Sequence, residues 1–326
     1  MMTFNVGPVH RKVPHLMADL VEILLVVGYD GCTHLSKQSA EALIAASQLH
    51  SEEADDFERE EMEDVADAEK HDRISVAMED AWKILLYRDK FFGEAYPFDI
   101  DGQTIRPSLE ITEGGRMYRF LLACSRLRSF NRSQRAAWAK GFSYLSAFAL
   151  KQGLPKKANV RVFDANSEDR RNFYSTDLRE ALKKLGRELH ALSINEGECD
   201  KQSASGDATI DIVAAYPFED GASGTIAALG QCAARETEWP SKRFEGHPDT
   251  LRAFYQLTHD PLHFTFIPLS YRLSTGEWVQ GSKVTGTVVL DRGRILNLAL
   301  VPEDCSEVIN SDWFKGFEEA YPLTVA

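Results

Sequence analysis

The stretch Gly206-Asp207-Ala208-Thr209-Ile210-Asp211-Ile212-Val213-Ala214, followed by Ile226-Ala227-Ala228-Leu229-Gly230-Gln231-Cys232-Ala233, decides how this chain is read. Each half has the pattern of a short apolar strand carrying one polar residue that burial disfavours. Asp211 stands between Ile210 and Ile212-Val213, and Gln231 ends a run with no other side-chain polarity. A buried carboxylate is unfavourable unless a cation or hydrogen-bond donors satisfy it. Asp211 is therefore either a solvent-face or turn residue of a half-buried strand, or a metal-ligand carboxylate with a partner on the neighbouring strand.

Upstream of this pair, the leucines Leu178, Leu182, Leu185, Leu189 and Leu192 predict a helix over 177–192. Glu188 falls at the margin of that stripe, away from the basic face of Arg179, Lys183 and Arg187. Residues 159–163 read as a short strand and 164–167 as a loop. Downstream, 234–248 mixes Arg235, Trp239, Lys242, Arg243 and His247. Residues 250–257 suggest a short helix and 264–269 an apolar strand with Pro268 at its edge. Arg292-Gly293-Arg294 suggests a basic turn, and 313–321 a closing amphipathic helix.

The N-terminal third is helical in pattern. Met17, Leu20, Val21, Leu24 and Leu25 recur at helical spacing, and Gly28-Tyr29-Asp30-Gly31 breaks the run. Residues 51–72 hold twelve acidic residues against Arg59 and Lys70, with Phe57, Met62 and Val65 at helical intervals. This is an exposed amphipathic helix in expectation, a solvated face. Its functional alternatives are a mimic of DNA, a flap over a basic groove, or a docking surface for a basic partner. Helices follow over 74–87, 117–128 and 134–150, the last capped by Ser133. The Gly- and Pro-bearing segment 91–115 is the candidate boundary between an acidic helical part, 1–106, and an α/β part, 107–326.

The chain has 326 residues, of which 44% are apolar, enough for one large domain or two ordinary ones. Its early apolar run, 20–27, is too short to cross a bilayer. Five scattered cysteines form no CxxC or Cys/His cluster, a pattern expected of reduced thiols in the cytoplasm. The net charge of −13 argues against nonspecific coating of nucleic acid, though not against a local basic groove.

The order of these features is an acid on a helix (Glu188), an acid on a strand (Asp211), then a neighbouring strand with Gln231. It resembles the PD-(D/E)xK superfamily of restriction-endonuclease-like nucleases, and within it the Mrr-type branch. There a GD-x-G-x-D strand precedes a Q-x-K strand; here Gly206-Asp207-Ala208-Thr209-Ile210-Asp211 and Gln231-Cys232-Ala233 stand for the two. The resemblance spans 173–242. It implies a mixed central sheet flanked by helices and Mg²⁺- or Mn²⁺-dependent hydrolysis of DNA, as in effectors of antiviral defence. Asp211 would be the central metal ligand, Gln231 would give an amide oxygen and Cys232 its backbone carbonyl, and Glu188 would complete the site. Asp207 is read first as a turn residue before the strand, with contact to the metal as the alternative.

The family's lysine is replaced by Ala233. Lys242 is the first candidate to restore the charge and Arg235 the second, because lysine shifts its pKa and serves as a proton donor where arginine does not. Arg235, Lys242, Arg243, Arg292 and Arg294 are the candidate nucleic-acid contacts; Trp239 and Trp278 are read as core residues first, with stacking on bases as the alternative. The helical part would bind a protein partner or a second copy; no membrane is expected. The rival expectation is a non-catalytic nucleic-acid-binding or scaffold subunit that kept the fold and lost the lysine.

Overall fold

Two kinds of apolar pattern build the interior, one of helical period and one of strands buried on both faces. The computed structural model describes residues 4–7, 9–10, 12–46, 67–301 and 305–323, and for 67–72 the backbone alone. The run 51–66, expected to be an amphipathic helix, lies outside the described residues.

In chain order the helices are α1 (Pro14–Val26), α2 (Lys37–Ala46), α3 (Asp67–Phe92), α4 (Glu113–Cys124), α5 (Arg132–Gln152), α6 (Leu178–Glu188), α7 (Glu196–Asp200), α8 (Trp239–Lys242), α9 (Pro248–Leu251), α10 (Arg292–Ala299), α11 (Ser306–Ile309) and α12 (Asp312–Ala320). The strands are β1 (Leu35–Ser36), β2 (Phe98–Asp101), β3 (Thr104–Pro107), β4 (Asn159–Val162), β5 (Ser193–Ile194), β6 (Ile212–Ala215), β7 (Ala227–Cys232), β8 (Tyr255–Gln256), β9 (Leu262–Phe266) and β10 (Val288–Leu290).

The opening helix α1 is buried all round, from His15 to Val26, and not along one stripe. A helix enclosed on every side needs neighbours on every side, and α3, α4 and β3 supply them. The break after α1 falls where the glycines predict it, with Gly28 and Asp30 both in the left-handed region. The helix expected over 74–87 is longer, running from Asp67 to Phe92. The cap of α5 is Asn131, whose side chain accepts from Gln134 N at 3.0 Å; Ser133 instead donates to Asn131.

The main sheet has the order β10-β9-β7-β6-β4. β4, β6 and β7 pair antiparallel, whereas β9 and β10 run parallel to β7. β4, β7, β9 and β10 therefore all end at the edge where β6 begins. Ile212, Ala214, Ala228 and Phe266 turn one face into the large core shared with α5 and α10. Val213 and Leu229 turn the other face onto Leu178, Leu182 and Leu185 of α6. The architecture is a mixed α/β sandwich with helices on both sides of the sheet.

Packing is continuous across residues 106 and 107, since Leu20, Met78 and Ile105 share one core with Phe142, Ile212 and Leu296. A buried ion network spans the same junction. Arg88 of α3 reaches Glu22 and Asp19 of α1 at 2.8 Å each. Arg292, the first residue of α10, reaches Asp19 at 2.9 Å and Glu22 at 3.5 Å. Tyr96 and Tyr118 donate to Glu22 at 2.8–2.9 Å. Burial alone would raise the Asp19 pKa, but Arg292 and Arg88 outweigh it and hold the carboxyl low. This corrects the expectation of a basic surface turn at 292–294. Arg292 is fully buried and neutralised, and it cannot touch a phosphate.

Candidate metal centre

The Gly206–Asp211 stretch is a turn, and β6 begins only at Ile212. Ala208 and Thr209 both take positive φ, 52° and 63°, a strained conformation for residues with a Cβ. Asp207 holds the turn, accepting from Thr209 N at 2.9 Å through its side chain and from Ile210 N at 3.1 Å through its carbonyl. On the far side, Gly246 N donates to Thr209 Oγ1 at 2.9 Å. A Cβ at Gly246, where φ is +67°, would stand 2.5 Å from Thr209 O, so only glycine permits this approach.

Asp211 is tied in from three directions. Its N–H donates to Gly230 O at 3.0 Å, its carbonyl accepts from Phe163 N at 2.7 Å, and its Oδ2 accepts from Cys232 N at 2.7 Å. The carboxylate is thus fixed across the end of the β6–β7 pair, beside the end of β4. Asp164 follows directly after Phe163. Carboxylate oxygens of Asp164, Asp207 and Asp211 all lie within 4.8 Å of one another. The Asp211 pKa is pushed up to about 7, first by burial and then by Asp207 and Asp164; the Cys232 N–H and the Lys242 ammonium pull the other way. Among the described residues, no cation forms an ion pair with any of the three aspartates.

Gln231 is 5% exposed, and its Oε1 has no hydrogen-bond partner among the described residues. That oxygen lies 3.6 Å from the Cβ position of Gly246, which itself sits against Thr209. A buried amide oxygen of this kind calls for a partner, and it faces the turn that carries Asp207 and Asp211. Lys242 ends α8, the short helix that begins at the buried Trp239. Ala233 and Trp239 belong to one buried cluster. Lys242 is close enough to Asp211 to act on its carboxyl electrostatically. Lys242 Nζ is 3.8 Å from Glu245.

Other expected site residues fall elsewhere. Glu188 is outside the carboxylate group: Arg161 of β4 and Tyr174 donate to its two oxygens. Cys232 gives the site a backbone N–H, and burial pushes its thiol pKa well up. Arg235 is exposed and paired with Glu238. Arg243 donates to Pro240 O and Lys283 O at 3.2 and 3.1 Å and lies over Phe244. Arg294 donates to Val289 O at 2.7 Å and, with Arg272, covers Trp278. Trp239 is buried, as the core-packing reading expects. Asp164 is the residue that sequence reasoning missed; its one signal is its position just past a strand, which acquires meaning only once β4 is known to neighbour β6.

The carboxylates of Asp164, Asp207 and Asp211 offer hard oxygen donors of the kind that divalent cations such as Mg²⁺ or Mn²⁺ take. No protein-family model matches the chain, and neither a curated protein nor a solved structure matches it. No helix among the described residues is long and apolar enough to cross a membrane.

Proposed function

We propose that this chain is a Mg²⁺- or Mn²⁺-dependent nuclease of the restriction-endonuclease-like class that hydrolyses phosphodiester bonds of DNA. The observation that carries the reading is the convergence of Asp164, Asp207 and Asp211 at the sheet edge where four strands end. The sheet order supports it: an antiparallel meander, β4-β6-β7, followed by a strand parallel to β7.

Asp211, Asp207 and Asp164 would hold the ion, with Gln231 turning its free amide oxygen toward the same space. A divalent ion there would neutralise charge developing on the phosphate and favour ionisation of a water. The Cys232 N–H orients the Asp211 carboxylate. Lys242 brings a positive charge to the place that Ala233 leaves without one, where it can stabilise the scissile phosphate or hand on a proton. A role as effector of an antiviral defence system, with the helical N-terminal part as docking module, belongs to the same proposal.

Ala233 favours one second reading, a nuclease fold that binds nucleic acid without cutting it. Supercoiled plasmid incubated with Mg²⁺ or Mn²⁺ separates the two. The nuclease reading expects nicking or linearisation that Asp211→Asn and Lys242→Ala abolish or cripple, and that Arg235→Ala leaves alone. DNA retained in a gel shift but never cut, with either metal, favours the second reading.

A further inference from the structure

Asp164 and Asp207 sit on loops far apart in sequence, and their like charges oppose the approach that brings them together. Something must hold the loops. Arg170 lies in a turn of π-helix, Arg170–Tyr174, between β4 and α6, and it is fully buried. Its guanidinium donates to Phe163 O at 2.9 Å, Gly206 O at 3.3 Å and Ser175 O at 2.7 Å. The first two carbonyls belong to the residues directly before Asp164 and Asp207. The plane lies over the Phe163 ring, 4.4 Å from its centroid. No carboxylate accepts a hydrogen bond from it among the described residues. Burial lowers its pKa, and Asp207 and then Asp164 act most strongly in the other direction. Its own backbone is seated by Ser167, whose hydroxyl accepts from Arg170 N at 2.9 Å and donates to Val162 O at 2.6 Å.

We propose that Arg170 is the positioning residue of the metal centre. Its planar fork clamps the two carbonyls from which Asp164 and Asp207 follow, and so sets the distance between their carboxylates. Its buried charge also balances part of their repulsion before an ion arrives. Lysine would keep the charge and lose the fork, because one ammonium cannot span three carbonyls in a plane. The inference rests on the metal site proposed above, and the experiment reads metal binding directly, without cleavage.

Tb³⁺ is the probe, titrated into the full chain by luminescence, with the number of bound waters taken from decay rates in H₂O and D₂O. Wild type should bind the ion, and Asp211→Asn should not. Arg170→Lys should weaken binding by about tenfold or more, the scale seen when a partner behind a metal ligand is removed. It should also add at least one water to the bound ion as a carboxylate falls away, which a mere loss of fold stability would not do. Ser167→Ala loosens the same turn and carries the test if Arg170→Lys does not fold; a smaller loss in the same direction is expected. Wild-type affinity and water count in Arg170→Lys, or in Ser167→Ala where it replaces it, overturn the positioning role while leaving the metal site standing. No Tb³⁺ bound by wild type removes both.

Discussion

Asp19, Glu22, Arg88 and Arg292 meet in the interior around two tyrosines, two charges of each sign, all at most 1% exposed. Asp164, Asp207 and Asp211 meet at the edge of the sheet, three acidic groups, with Arg170 behind them and Lys242 acting on Asp211. Both groups are costly to desolvate. The first is balanced inside the fold, and its work is to join α1 to α3 and α10. The second is left with negative charge in excess; burial first, and then Asp207 and Asp164, raise the Asp211 pKa, whereas Arg292 and Arg88 hold that of Asp19 low. Balanced buried charge holds a fold together, whereas a half-buried group of one sign is what the proposed metal site would use.

The contrast is broken most sharply at Asp211. Asp211→Asn should reduce metal-dependent plasmid cleavage by about 10³-fold, the scale of losing a group that stabilises developing charge. The same change should stabilise the metal-free protein at pH 8. The folded pKa, about 7, lies above the ordinary aspartate value of 3.8. Asp211 therefore favours folding most below about pH 4, and stability is lost as pH rises through 7. The gain in Asp211→Asn should be ~4 kcal/mol at most at pH 8 and should vanish toward pH 4, read as unfolding midpoints in urea. Equal stability of the two proteins at pH 8 would show that Asp211 is not strained by its surroundings.

The balanced group should respond in the opposite sense. Arg292→Met leaves Asp19 and Glu22 short of a cation and should destabilise by about 3–5 kcal/mol, measured by chemical denaturation. A loss under about 1 kcal/mol, the range of a surface pair, would mean that the network is not what joins α1 to α10. Lys242→Ala comes next, with a loss in kcat of about 10²-fold at unchanged metal affinity, the range of a general acid or base. Smallest is Glu188→Gln, which weakens the contacts to Arg161 and Tyr174 by about 1 kcal/mol. It should leave Mn²⁺ affinity unchanged, and a calorimetric titration showing a large loss would return Glu188 to the metal site.

Much of the sheet was legible because its strands are apolar on both faces. Residues 212–215 and 227–232 read directly from their side chains, as did the leucine stripe of α6 and the closing helix. Asp211 and Gln231 stood out for the same reason, as polar interruptions of apolar runs. Asp164 did not, because its nearness to Asp211 comes from the pairing of β4 with β6, a long-range fact that no local pattern carries. Asp207 looked like a turn residue and is one, but the left-handed turn also turns its carboxylate to the other two. Glu188 misled because the partner that claims it, Arg161, lies on an edge strand distant in sequence. Arg292 misled because Arg-Gly-Arg reads as a surface turn until the acids buried in α1 are known.

Crystals of the protein soaked in Mn²⁺, with diffraction collected to give anomalous differences, provide the most direct test of a cation held by the three aspartates. One strong peak is expected about 2.1 Å from oxygens of Asp164, Asp207 and Asp211, within reach of the Gln231 amide. Saturating Mn²⁺ that leaves no peak among those carboxylates, or gathers at other residues, would contradict it.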